Sequence, residues 1–236
     1  MQPSHPSADA GKAAGPRSSG VNPRFGTAAP PGASPAAGKI GVLALQGAFA
    51  RHVERLRAIG ARAVEVRTAE QLSEVGALVM PGGESTTMSN LLGSTELFDP
   101  IAERIDAGMP VFGTCAGMIL LADKILDGRD DQRHFGVLDI TVRRNGYGRQ
   151  VDSFEADLEL DTARSGGAQR SLPFHGVFIR APRVEAVGPD VEVIASFDGD
   201  PVLVRQGRLL AACFHPELTD DVRLHQLFLS LCEEAS

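Results

Sequence analysis

The pentapeptide Gly113-Thr114-Cys115-Ala116-Gly117 carries the strongest chemical signal in the chain. It follows an apolar strand and precedes a helix-like run from Met118 to Lys124. That is the setting of a nucleophile elbow, with Cys in the place of Ser. Small residues at 113 and 117 permit a sharp strand-to-helix turn that lifts the Cys115 side chain clear of the sheet. The helix N-terminus then lies beside the sulfur and favours thiolate. The backbone N–H of Ala116 points into the same space and can donate to an oxyanion. An isolated Gly-x-Cys-x-Gly is about as often a buried thiol in a glycine-rich turn, so the motif needs company.

His215-Pro216-Glu217 supplies that company. A thiol nucleophile needs a base, and the base needs an acceptor to hold its tautomer. A His and a Glu two residues apart, locked by proline just after a strand, suit the pairing, although alone they would more often form an ordinary loop. Pro81-Gly82-Gly83-Glu84-Ser85-Thr86 is the third signal, again just after a strand. Its glycines let backbone approach a ligand closely, and an N–H from this turn would complete an oxyanion hole with Ala116. By itself it is only a turn. It lacks the Gly-Lys-Ser/Thr ending of a phosphate loop, and no Gly-x-Gly-x-x-Gly follows the first strand, which argues against a dinucleotide site. Cys213, inside the strand leading to His215, and Cys232, near the end of the last helix, read as packing residues. His52 reads as lying on the polar side of a helix, and His134, His175 and His225 as surface or loop residues.

Elements at regular spacing must position these groups. Ile40 to Leu45 reads as a buried strand. Phe49, Val53, Leu56 and Ile59 then make one face of a helix that Gly60 stops. Strands follow at Ala63 to Val66, Ala77 to Met80 and Val111 to Phe112. Asp99, Pro100 and Gly108 bracket a helix between the last two as N-cap, N1 and C′ residues. This rhythm predicts an α/β fold around a parallel, doubly wound sheet. From about Gly136 the pattern changes. Phe154, Ala156, Leu158 and Leu160 alternate with acidic residues as a one-sided strand, and Val191 to Phe197, Pro201 to Arg205 and Leu209 to Phe214 read as further strands with short turns, Gly207 marking a hairpin, so that the second half adds antiparallel strands. A final helix presents Leu224, Leu227, Phe228 and Leu231 on one face, with Thr219 as its N-cap.

Composition narrows the function classes. The 236 residues carry 23 Lys plus Arg against 30 Asp plus Glu, a net charge of −7. That is a poor balance for gripping a nucleic-acid backbone. No apolar run approaches the ~18 residues of a membrane span. Three cysteines, at 115, 213 and 232, form neither a disulfide framework nor a zinc-ligand pattern, and point to a reducing compartment. Residues 1–38 are mostly Ala, Pro, Gly and Ser without apolar periodicity, and read as a disordered extension with no signal-peptide core. Residues 39–236 are the folded unit.

Taken in order, these motifs resemble the class I, or triad, glutamine amidotransferases. Longer segments narrow the resemblance to the glutaminase subunits of pyridoxal 5′-phosphate synthase. They are Leu45 to Ala48, Pro81 to Met88, Arg143 to Glu155, Gly176 to Pro182 and Phe214 to Thr219. The resemblance runs from Lys39 to about Glu234, and departs at the N-terminal extension and at the stretch from Thr162 to Arg170. It implies a three-layer, flavodoxin-like α/β fold and a cytoplasmic enzyme with no cofactor and no metal. Cys115 would attack the carboxamide of L-glutamine, with His215 and Glu217 completing the triad. Backbone N–H groups of Gly83 and Ala116 would hold the oxyanion. Glu84, Ser85, Arg144, Ile179 and Arg180 match positions that contact glutamine, and Gln46 lies in a segment near the partner interface. The partner implied is a (β/α)₈ lyase subunit that receives the ammonia. The same triad would also suit the glutaminase of another amidotransferase, such as imidazole glycerol phosphate synthase. A non-catalytic or redox-sensing module could use the same fold.

Overall fold

Several runs are apolar at every position, which is what strands covered on both faces require. In the computed structural model, which describes residues 38–129, 131–146, 153–161 and 173–233, these runs form the centre of a large sheet. In chain order the elements begin with β1 (Lys39–Leu43), α1 (Phe49–Ala58), β2 (Arg62–Val66), α2 (Ala69–Ser73) and β3 (Ala77–Met80). They continue with α3 (Ser85–Ser94), α4 (Phe98–Asp106), β4 (Val111–Thr114), α5 (Ala116–Leu121) and β5 (Ala122–Ile125). Five strands follow: β6 (Leu138–Arg143), β7 (Ser153–Leu158), β8 (Phe174–Ile179), β9 (Arg183–Val187) and β10 (Glu192–Phe197). The chain closes with β11 (Asp200–Gln206), β12 (Leu209–Ala212), a 3₁₀ turn at Pro216–Leu218 and α6 (Arg223–Glu233).

The main sheet has seven strands in the order β10-β11-β12-β4-β3-β1-β2. The stretch from β12 to β2 is parallel throughout. Its order, with the first strand between the second and third, is the flavodoxin-type doubly wound arrangement, in which ligands bind beyond the carboxyl ends of the strands. β3, β4 and β12 are buried at every position. β10 and β11 extend the same sheet antiparallel. The remaining strands do not join it. β5, β6 and β9 form a separate three-stranded sheet, and β7 and β8 pair as a two-stranded one. β7 alternates as its acidic and apolar residues require, and Phe154 stacks on Phe178 at 4.5 Å between ring centroids.

Three local expectations are corrected. The run from Met118 to Lys124 is helical only to Leu121; Ala122 and Lys124 pair instead with Leu138 and Thr141 of β6. A strand partner distant in sequence overrides the local helical pattern. Helix α4 starts at Phe98 with Leu97 at its N-cap, so Asp99 and Pro100 lie inside the first turn, where proline is still tolerated. Leu97 and Phe98 are both buried, and packing draws the chain into the helix before the polar cap. Thr219 does not cap α6. Its hydroxyl accepts from the N–H of Asp221, and the Asp221 carboxylate accepts from the N–H of Arg223, where the helix begins. The expected extension at residues 1–38 lies outside the described residues except for Gly38, and so do residues 147–152 of the Arg143 to Glu155 segment and the departure at Thr162 to Arg170. Among the described residues no helix is long and apolar enough to cross a membrane.

Candidate active site

The backbone at Cys115 adopts φ 49° and ψ −103° between β4 and α5. A non-glycine residue rarely takes this conformation, and it costs roughly 1–3 kcal/mol, which the surrounding fold must hold in place. The flanking glycines explain how the turn closes. A Cβ on Gly117 would lie 2.2 Å from the Met80 carbonyl oxygen, and one on Gly113 would lie 2.7 Å from the Gly117 carbonyl carbon. Only hydrogen at these positions lets β4, β3 and the start of α5 approach so closely. The N–H of Cys115 donates to the Ala212 carbonyl at 2.8 Å, tying the elbow to β12.

β12 leads into the second half of the site. Its parallel register with β4 pairs Ala212 with Thr114, and His215 follows three residues on. The His215 N–H donates to Val177 of β8 at 2.8 Å, and its Nδ1 lies 2.8 Å from Glu217 Oε1. Glu217 is fully buried in the 3₁₀ turn that Pro216 opens. Burial opposes the charged imidazolium, yet Cys115 and the Glu217 carboxylate outweigh it and raise His215 to about 10. Burial likewise opposes the carboxylate of Glu217, but His52 and His215 more than offset this and hold it well below the usual range. An anionic acceptor behind a strongly basic imidazole beside a thiol is the arrangement that proton transfer to and from sulfur requires.

The glycine turn after β3 sits directly on this pair. A Cβ on Gly82 would meet His215 Cε1 at 2.3 Å and the Cys115 Cβ at 3.2 Å. Gly47, at φ 81°, approaches so closely that its Cβ would lie 1.7 Å from the Gly82 carbonyl oxygen. Gly83 lies against the Gln46 side chain, whose Oε1 is buried without a hydrogen-bond partner. Glu84 is the N-cap of α3. Its carboxylate accepts from the N–H groups of Thr86 at 3.1 Å and Thr87 at 2.6 Å. It also accepts from Arg144 Nη2 at 2.7 Å. Partial burial opposes the charge, but these hydrogen bonds and Arg144 lower Glu84 to about 2. Ser85 is buried beside it. The Ile179 carbonyl lies 3.9 Å from the Cys115 sulfur, and Arg180 follows at φ 42° with its side chain exposed.

Cys213 is fully buried, and desolvation raises its pKa, which fits a packing thiol. Two histidines contradict their sequence reading. His52 is not on a polar helix face, and His225 is not on the surface; both are fully buried. His52 Nε2 lies 3.3 Å from Glu217 Oε2 and 3.3 Å from Thr114 Oγ1, and its Nδ1 lies 3.1 Å from His225 Nε2. The signal for His52 was present, because it stands three residues after Phe49 and four before Leu56, inside the apolar arc of α1. His175 is exposed as read, paired with Glu155 and Asp157 on the β7–β8 surface. His134 is half-buried, with Nε2 3.2 Å from the Asp123 carbonyl. Among the described residues no group of three His, Cys, Asp or Glu side chains could hold a metal ion.

Fold and site together define a flavodoxin-type α/β protein with a thiol on a strand-to-helix elbow and a His–Glu pair at the end of the adjoining parallel strand. The chain matches the SNO glutamine amidotransferase family over residues 42–234 and belongs to it. It is 58% identical over 192 residues to the pyridoxal 5′-phosphate synthase subunit PdxT of Mycobacteroides abscessus, covering 81% of this chain and 96% of that protein. It is 55% identical over 193 residues to the protein of the same name from Frankia alni, covering 82% and 94%. A solved structure described as a glutamine amidotransferase superimposes with a TM-score of 0.75 at 49% identity, covering 82% of this chain and 98% of that one. The chain is thus an enzyme of the glutamine amidotransferase class.

Proposed function

We propose that this chain is the glutaminase subunit of a pyridoxal 5′-phosphate synthase. It would hydrolyse L-glutamine to L-glutamate and pass the ammonia to a (β/α)₈ lyase subunit. The observation that carries the reading is the strained elbow at Cys115 set beside the His215–Glu217 pair. The names of the relatives support the particular synthase over that of another amidotransferase.

In this reading the Cys115 sulfur, its proton taken by His215, attacks the side-chain carbonyl carbon of glutamine. N–H groups of Gly83 and Ala116 receive the negative charge that develops on oxygen. His215 returns the proton to the departing nitrogen, the C–N bond breaks, and ammonia leaves a thioester on Cys115. Water, deprotonated by His215, attacks the thioester carbon, and sulfur leaves as glutamate forms. Glu217 stays ionised throughout and holds the imidazole in one tautomer. Glu84, Ser85, Arg144, Ile179 and Arg180 surround the amino-acid end of the substrate, where a guanidinium suits its carboxylate. Residues 39–236 form the catalytic unit, acting in the cytoplasm with no metal or cofactor of its own. Gln46, packed on Gly83, is where docking of the partner would order the oxyanion turn, so activity is low alone and rises in the complex.

The test is ammonia release from glutamine, with and without the lyase subunit, for the wild type, Cys115→Ala and Cys213→Ala. Activity that survives in Cys115→Ala, or that only Cys213→Ala abolishes, overturns the reading.

A further inference from the structure

Glu217 presents two oxygens to the protein interior, and the triad uses one. Oε1 accepts from His215; Oε2 makes no short hydrogen bond and faces His52 Nε2 at 3.3 Å. A fully buried carboxylate with one oxygen unsupported is costly and free to rotate away from its histidine. We propose that His52 is a positioning residue for this reaction, donating from Nε2–H to Glu217 and thereby fixing the carboxylate that orients His215. The inference rests on the Cys115–His215–Glu217 reading above and adds a buried layer behind it.

The tautomer follows from what surrounds the ring. His52 meets Glu217 from the 3₁₀ turn, Thr114 from β4 and His225 from α6. Arg55 on its own helix is a further charged group here; its guanidinium bonds the Glu217 carbonyl at 3.4 Å and pairs with Asp220 at 2.9 Å. A bare Nε2 would set its lone pair against an anion, so Nε2 carries the proton, with the Thr114 hydroxyl as a second acceptor. With that proton as the ring's only one, Nδ1 accepts and His225 donates from Nε2 at 3.1 Å. That leaves His225 Nδ1 as a bare lone pair, and this atom is buried without a partner. An orphaned acceptor is tolerated there better than an orphaned N–H. Burial lowers His225 to about 3, which keeps it neutral for this role. The protons thus run in one direction, from His225 to His52 to Glu217, with His215 donating to the same carboxylate from the other side.

Three substitutions in the full chain, assayed with the lyase subunit, separate positioning from packing. The amide nitrogen of His52→Gln reaches the place of Nε2, that of His52→Asn reaches only the place of Nδ1, and His52→Leu keeps bulk alone. The expected result is that Asn and Leu lower kcat by roughly tenfold to a hundredfold, as loss of a partner behind a functional side chain does, with KM unchanged. The alkaline limb of kcat, set by loss of the His215 proton, moves to lower pH in both, and Gln restores rate and profile to near the wild type. Folded Asn and Leu variants with wild-type kcat and pH profile overturn the proposal, as does a Gln variant as impaired as Leu. If Asn and Leu do not fold, nitrogen NMR of the wild-type imidazoles decides. Protonation of His52 on Nε2 alone supports the proposal, and a proton on Nδ1 overturns it. A wild type without Cys115-dependent ammonia release would instead sink the glutaminase reading itself.

Discussion

Two cysteines occupy matching places at the ends of neighbouring parallel strands, with opposite fates. Cys115 follows β4, Cys213 follows β12, and the register that pairs Thr114 with Ala212 brings the two positions side by side. Both are buried, at 6% and 0% exposure. What separates them is the backbone. At Cys115 the chain turns through a positive φ, and the side chain is left beside His215 and the Ile179 carbonyl. At Cys213 the chain runs on toward His215; its N–H bonds Val202, and its sulfur packs against Met118 at 3.6 Å. On the proposed reading, reactivity is set by the turn and by what faces it, and burial alone says little.

The largest expected effect tests that contrast directly. Cys115→Ala should lower kcat for glutamine hydrolysis by roughly 10⁴-fold or more. Cys213→Ala should leave kcat unchanged and cost about 1 kcal/mol of stability. Chemical denaturation beside the ammonia assay checks both, and equal losses of activity would erase the distinction. Next comes the elbow itself. Gly117→Ala drives a Cβ into the Met80 carbonyl and should cost about 3 kcal/mol as well as activity. Gly207→Ala, at the hairpin opening β12, sits at φ 57° in open space and should cost only about 1 kcal/mol.

The ionisable groups behind the strand ends give a smaller, pH-dependent signature. His225 is lowered to about 3 in the fold from an ordinary 6.5. Its contribution is therefore fully present above pH 6.5 and is lost as pH falls toward 3. Denaturation series across that window should show a shallower acid-side loss in His225→Gln than in the wild type. An unchanged slope would mean that His225 is not held neutral. The smallest effect belongs to the end of β3. Glu84→Gln removes the charge that caps α3 and pairs with Arg144, and should cost about 1 kcal/mol. Glu84 is lowered to about 2 from 4.5, so this difference from the wild type is present above pH 4.5 and fades as pH falls through 2.

Much of this site was readable from short-range pattern. The elbow, the His-Pro-Glu turn and the double-glycine turn each announce themselves within six residues, because each depends on backbone geometry that only small residues or proline permit. The buried pair behind His215 and Glu217 was not readable in the same way. His52 fell on the apolar arc of α1, yet its polar type argued for solvent, and only Glu217, 165 positions away, makes its burial tolerable. Gly82 was passed over in favour of Gly83, because nothing local reveals which glycine a distant histidine will touch. Lys124 was read as helix because its strand partner, Thr141, lies beyond the next loop.

The sequence by itself determined the proposed chemistry and the elements that carry it. Apolar runs buried on both faces demanded a parallel core, and Gly113 and Gly117 demanded a tight turn at Cys115. The order of the motifs placed all three at strand ends. The tertiary structure decided which ends meet. Setting β12 beside β4 brings His215 to Cys115, and closing α1 and α6 over the 3₁₀ turn puts His52 and His225 behind Glu217. The physical reason is that a buried carboxylate is stable only among partners that compensate its charge. In this chain one such partner, His215, is a sequence neighbour, and the other, His52, comes from a helix 165 residues away that only the fold brings near.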